Sequence, residues 1–326
     1  FIQEEYKFIL FLILFYCILQ IPVNYYITTG GGISDVSSRI KVEEKYESEG
    51  SFNISYVTEL QKSTVLTYAL SYVMPTWERE SANSYKYSEE ESTKDIQLRS
   101  EMDLEKANST ATYWAYTLAG KEISHLSTHI YVAAISSQFE TPLKVGDEIV
   151  NIDGIRKETI TEYKEYFQTK KENDLVTIQI IRNEKPKEVT AILYSYEDRL
   201  ILGISLQLIH EYETNPKVDI SFKETESGPS GGLITTLEIY NQLIEEDLTK
   251  GRKIAGTGTI EEDGTVGEIG GIRYKLLGAV SAKADIFLVP SGKNYEDAIE
   301  YQKEKKFKME LIEVKSIEDA IEKLKK

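Results

Sequence analysis

The chain has 326 residues, 41% of them hydrophobic, enough for more than one core at about 100–200 residues per domain. A formal charge of −16 opposes the phosphate backbone of nucleic acid and charge-driven docking on anionic lipid, and leaves only a weak attraction for cationic peptides. The single cysteine, Cys17, lies in an apolar run, which excludes an intramolecular disulfide and a Cys-rich zinc site.

The chain opens at Phe1 without a methionine, so residues upstream of it are expected. Residues 1–7 read as a short tail in which Lys7 faces Glu4 and Glu5, a weak orientation signal. Phe8 to Leu19 is wholly apolar, and the stretch continues through Pro22 and the Tyr25-Tyr26 pair to Ile27. At about 1.5 Å per residue, 8–27 predicts a transmembrane anchor crossing roughly 30 Å, with the tyrosines at the interface. No small-residue cleavage site follows, so a retained signal anchor is expected.

Thr28-Thr-Gly-Gly-Gly32 reads as a hinge into a membrane-proximal α+β region, 28–121. Within it, Phe52, Ile54 and Tyr56 alternate as in a strand, and Val65, Leu66, Ala69, Leu70 and Val73 recur as in a helix. Leu98 to Leu118 predicts a long helix stopped by Gly120. Residues 122–200 form a smaller unit: a strand at 130–135, the turn-strand-turn LKVGDEIVNIDG, a helix from Ile160 to Thr169, and a hairpin from VTIQIIRN and KEVTAILY. His125 and His129 lie in a strand-like stretch without the Glu of a zinc-protease signature, and His210 falls in a linker; all three read as ordinary histidines.

From Val218 the pattern becomes strand, glycine-rich turn and helix. Ser230, in Glu226-Ser-Gly-Pro-Ser-Gly-Gly232, stands where a helix N-terminus offers unpaired N–H groups to developing negative charge. A serine hydroxyl needs a base, and with histidine nearly absent a lysine is the economical choice. It must be neutral: a move from about 10.4 to near 7.5 costs roughly 4 kcal/mol and requires an apolar pocket. Lys275, in GGIRYKLLGAV, has such neighbours, whereas Lys283, Lys293 and Lys303 to Lys306 sit among polar residues. The Ser-x-x-Lys pattern at Ser38 to Lys41 has no supporting partner motif.

Two resemblances follow from these residues. The 122–200 unit, above all Leu143 to Gly154, resembles a PDZ domain of the bacterial protease-associated kind, which implies capture of an extended peptide by strand addition. The blocks GPSGGL and GTGTIEEDGTVGEIGGIRYK are similar to the two signatures of the Lon-type proteolytic domain, here 201–326. The whole layout resembles the membrane-anchored PDZ–Lon peptidases of Gram-positive bacteria. That resemblance implies Ser230 as nucleophile, Lys275 as base, Thr257 hydrogen-bonded to the lysine, and the N–H groups of Ser230 and Gly231 as an oxyanion hole. Two positions depart from the pattern: Ser227 replaces the acidic residue of ATP-dependent Lon, and Gly231 replaces the usual alanine.

The expected fold is therefore α+β: an N-terminal transmembrane helix, then a PDZ-like β domain inserted before a C-terminal Lon-type proteolytic α/β domain. No cofactor or metal is implied, and no G-x-x-x-x-G-K-[ST] loop occurs, so ATP-driven unfolding is not expected. The expected function is a serine endopeptidase at the cell membrane, single-pass with its catalytic domain extracytoplasmic, acting on short or unstructured peptides. Homo-oligomers are suggested by the ring-forming habit of Lon-type domains. The alternative is a non-catalytic peptide-binding adaptor on a Lon-like scaffold.

Overall fold

The computed structural model describes residues 2–60, 62–223 and 226–326, with side chains from Tyr6 onward. Phe1 and the side chains of Glu4 and Glu5, part of the expected flank, lie outside the described residues.

The larger body is built on a six-stranded sheet in the order Glu310–Val314, Ile286–Pro290, Lys253–Gly256, Ser51–Leu60, Tyr25–Asp35, Glu78–Ser81. The first four strands pair in parallel and the last two join antiparallel. Strands buried on both faces read as unbroken apolar runs, and Ile286-Phe-Leu-Val-Pro290 is buried throughout. Successive side chains feed opposite cores. Ile254 and Leu288 enter one with Phe52, Leu233, Leu237, Ala111 and Tyr116; Ala255 and Phe287 enter the other with Ile272, Leu276 and Ala298. Helices Thr93–Ala119 and Gly232–Leu243 thus cover one face, and Ile272–Ser281 and Lys293–Lys305 the other.

The smaller body is a five-stranded antiparallel sheet in the order Ile204–Asn215, Glu122–Ile135, Glu148–Ile152, Leu175–Arg182, Lys185–Ile192. Val176, Ile178 and Ile180 alternate inward onto Ile130, Val132 and Ile152. The helix Ile160–Phe167 adds Tyr163 and Phe167, its first turn fixed by the reciprocal Thr159 and Glu162 capping contacts.

Several expectations are corrected. The apolar stretch 8–27 is not one helix: the helix runs Ile2–Leu19, Pro22 bridges to Thr64, and Tyr25 enters the sheet, with Tyr26 3% and Ile27 0% exposed. Pro22 cannot continue a helix, and Tyr-Tyr-Ile-Thr-Thr is strand-forming. Among the described residues no helix is long and apolar enough to cross a membrane. The helix is nonetheless bare, its large apolar side chains from Phe8 to Ile18 being between 44% and 63% exposed.

Nor is Thr28 to Gly32 a hinge. It lies within Tyr25–Asp35, paired with Ser51–Leu60 across a register shift between Thr29 and Gly32, and a β-carbon on Gly31 would meet the Tyr56 carbonyl oxygen at 1.6 Å. The region 28–121 is no separate domain, because Ser51–Leu60 pairs directly with Lys253–Gly256. The PDZ-like unit is therefore inserted within the larger body, not ahead of it. Its sheet also runs past residue 200 to take in Ile204–Asn215, which places His210 in a strand instead of a linker.

Candidate active site

The Ser230 turn is held from two sides. Pro229–Gly231 forms one 3-10 turn that runs into helix Gly232–Leu243. Gly228 N–H donates to the Ser100 carbonyl at 3.0 Å, fixing the turn to the long helix Thr93–Ala119. Gly258 N–H donates to the Ser230 carbonyl at 2.8 Å, and Leu233 N–H returns a bond to the Gly258 carbonyl at 3.1 Å. Gly228, at φ 85, adopts a backbone that favours glycine. The first N–H groups of such a helix have no intrahelical acceptor, so this turn can hold an oxyanion.

Lys275 approaches from the opposite face of the sheet, one turn into helix Ile272–Ser281. The strand between them, Lys253–Gly256, ends just before Thr257, so all three side chains meet at the carboxyl end of a parallel strand. Lys275 Nζ donates to Ser230 Oγ at 3.0 Å and to Thr257 Oγ1 at 3.0 Å. Thr257 Oγ1 in turn donates to the Ser230 carbonyl at 3.1 Å. With its hydrogen committed there, Thr257 can only accept from the lysine. A neutral Nζ that keeps one N–H on Thr257 can then turn its lone pair toward Ser230.

Burial supplies the neutral form. Lys275 is 4% exposed, and desolvation brings its pKa down to about 8, opposed by the field of Glu59. The helix is pinned by Ser55, whose Oγ donates to the Lys275 carbonyl at 2.9 Å, and by close contact of Gly278 with Gly32.

Gly231, the departure from alanine, has a local cause: a β-carbon there would stand 2.8 Å from Ile54 Cδ1. For Ser227 the structure offers no comparable account. Ser55, Gly32 and Glu59 escaped sequence reading because they act from a strand pair some two hundred residues away in the chain. Tyr85 Oη lies 2.8 Å from a Glu80 oxygen and 3.2 Å from a Glu59 oxygen, its one proton shared between them, and desolvation raises the Glu59 carboxyl although it keeps contact with solvent.

The histidines are tied up elsewhere: His125 and His210 both bond the Thr128 hydroxyl, and His129 bonds Glu148 at 2.7 Å. Among the described residues, no group of three or more His, Cys, Asp or Glu side chains is placed to hold a metal ion.

Residues 216–325 match the family described as the Lon protease (S16) C-terminal proteolytic domain, and residues 103–193 match the PDZ domain family. The chain joins a PDZ domain to a Lon-type proteolytic domain. A similar protein is the Lon protease of Phenylobacterium zucineum (strain HLK1), 32% identical over 121 residues, or 37% of this chain. The chain spans only 15% of that relative's length. Among solved structures, the PDZ domain of the SdrC-like protein from Listeria monocytogenes is 26% identical, covering 24% of this chain and 85% of that one, with a TM-score of 0.23. Its counterpart from Listeria innocua is 26% identical over 24% of this chain and 92% of that one, also at 0.23.

Neither matched segment contains the whole of its sheet. Three of the six strands of the Lon-type sheet come from residues 25–81, and the PDZ sheet takes Ile204–Asn215 from beyond its match. That last strand pairs with Glu122–Ile135 from Ile204 opposite Ile135 to Asn215 opposite Glu122. Glu122–Ile135 is thereby an interior strand, and the open edges of this sheet are Ile204–Asn215 and Lys185–Ile192.

Proposed function

We propose that the chain is an ATP-independent serine endopeptidase that cuts short or unstructured peptides through a Ser230–Lys275 dyad. The observation that carries this reading is a buried lysine, Nζ 3.0 Å from Ser230 Oγ and 3.0 Å from Thr257 Oγ1. With a pKa of about 8, roughly a quarter of Lys275 is neutral at pH 7.5, against about 0.1% at its ordinary value. Neutral Lys275 takes the hydroxyl proton as Ser230 Oγ attacks the peptide carbonyl. The N–H groups at Ser230 and Gly231 receive the oxyanion. Collapse breaks the C–N bond as Lys275 gives its proton to the leaving amine, and water, deprotonated by the same lysine, hydrolyses the ester on Ser230. Thr257 orients Lys275 throughout.

Substrate length follows from the absence of a phosphate-binding loop in the sequence, since a folded protein would need to be opened first. The adaptor reading has less support, because Ser230 and Lys275 are both present and in hydrogen-bond contact. Membrane attachment is supported by the bare stretch Phe8 to Ile18 of the helix Ile2–Leu19, since a run apolar on every side requires an apolar surrounding. We place that helix in the cell membrane and the catalytic body on the extracytoplasmic side, after the layout that the chain resembles.

The test is cleavage of an unstructured peptide by purified full-length protein without ATP. The parent is expected to cut, and Ser230→Ala and Lys275→Ala to lose at least 1,000-fold. Equal rates in both variants and the parent would sink the dyad.

A further inference from the structure

The helix Ile2–Leu19 is joined to the Lon-type sheet almost without a linker. Five residues separate Leu19 from Tyr25, a reach of at most about 18 Å. That reach is shortened further by backbone pairing: Val65 N–H donates to the Ile21 carbonyl at 2.9 Å and Val23 N–H to the Ser63 carbonyl at 2.9 Å. The segment pinned in this way to the base of the helix, Leu66 to Met74, carries a run of exposed apolar groups: Val73 is 72% and Tyr72 65% exposed, with Met74 and Leu66 beside them.

Aromatic rings form the border of this surface. Tyr25 packs on Tyr68 at 4.7 Å between centroids and Tyr68 on Tyr72 at 5.6 Å, while the Arg79 guanidinium lies 3.9 Å over the Tyr72 ring. Amphipathic rings with a cation over one face suit the headgroup level of a bilayer, where the ring is half-buried and the charge stays wet.

We propose that Leu66 to Met74 is a lipid-docking surface, which lays the catalytic body directly on the membrane instead of tethering it at a distance. The proposal rests on the membrane reading of the N-terminal helix. Its occupant is the bilayer interface, entered by apolar and aromatic insertion, because the chain's charge of −16 gives no attraction to anionic headgroups. Docking also has a consequence for the site. The strand Tyr25–Asp35 that leaves the helix is the same strand whose Gly32 supports the helix of Lys275, so the dyad is held at a fixed height above the lipid.

The experiment uses full-length Cys17→Ser protein in phosphatidylcholine vesicles, with single cysteines from Leu12→Cys, Val73→Cys or Lys303→Cys carrying a fluorophore. Quenching is read from nitroxide-labelled lipid and from aqueous iodide. Labels at positions 12 and 73 are expected to be quenched by the lipid nitroxide at least threefold more than the label at 303. If position 12 is quenched by lipid and position 73 is not, docking is overturned while membrane attachment stands. Lack of lipid quenching at position 12 removes the attachment reading itself. Shielding of position 73 from iodide without lipid quenching means a second copy covers the surface, and that also overturns the proposal.

Discussion

Gly278, in the helix that carries Lys275, rests on the backbone of Gly32: a β-carbon at 278 would stand 2.8 Å from both the Gly32 Cα and its nitrogen. Backbone cannot yield as a flexible side chain does, so any larger residue pushes the helix, and with it the lysine, away from the sheet. Gly278→Val is expected to cost about 1–3 kcal/mol of stability and to lower kcat/KM more than tenfold. Gly270→Ala, at a position with nothing within 4 Å of the new carbon, is the control and should behave as the parent. Thermal melts and peptide kinetics on the two variants check this.

The Gly231 contact predicts a compensated pair. Gly231→Ala drives its methyl into Ile54 Cδ1, the end of a flexible side chain, so the single variant should lose about 1 kcal/mol and slow severalfold. Ile54→Val removes that methyl, and the double variant should recover most of the rate. A double-mutant cycle reads the coupling, expected at about 0.5–1 kcal/mol.

Activity should follow the neutral fraction of Lys275. Burial lowers its pKa to about 8, and only the neutral amine accepts the Ser230 proton, so kcat/KM should rise about tenfold per pH unit below that value and level off above it. Glu59 holds the lysine pKa up, so Glu59→Gln should move the midpoint to lower pH. A pH–rate profile of both proteins is the measurement.

Glu238, 4% exposed within helix Gly232–Leu243, bonds Gln242 at 2.7 Å, and desolvation raises its pKa to about 7. A carboxyl raised on folding contributes full stability below its unfolded value of 4.5, and that contribution is gone once pH passes about 7. Glu238→Gln should therefore match the parent near pH 4.5 and exceed it by up to about 3 kcal/mol at pH 8.5, read by urea unfolding at both values.

Local signals made much of this legible. Gly120 ends its helix at φ 63, and the alternation of Val176, Ile178 and Ile180 places them on one face. Ser230 and Lys275 stood out because each carries its surroundings with it in sequence. The long-range pairings did not. Nothing near Phe52 announces that it pairs with Ile254, so residues 28–121 read as a separate region. Tyr26 and Ile27 are as apolar as the preceding helix, and hydropathy alone does not distinguish a lipid-facing residue from a buried strand. The glycines at 30–32 read as flexible because the Tyr56 carbonyl that crowds Gly31 is invisible in sequence.

The most direct test of the dyad is mass spectrometry of the protein after treatment with a fluorophosphonate probe at pH 8. One adduct, on Ser230, is expected in the parent, with labelling at least 100-fold slower in Lys275→Ala. An adduct on another serine, or a Lys275→Ala protein that labels Ser230 as fast as the parent, would contradict the account.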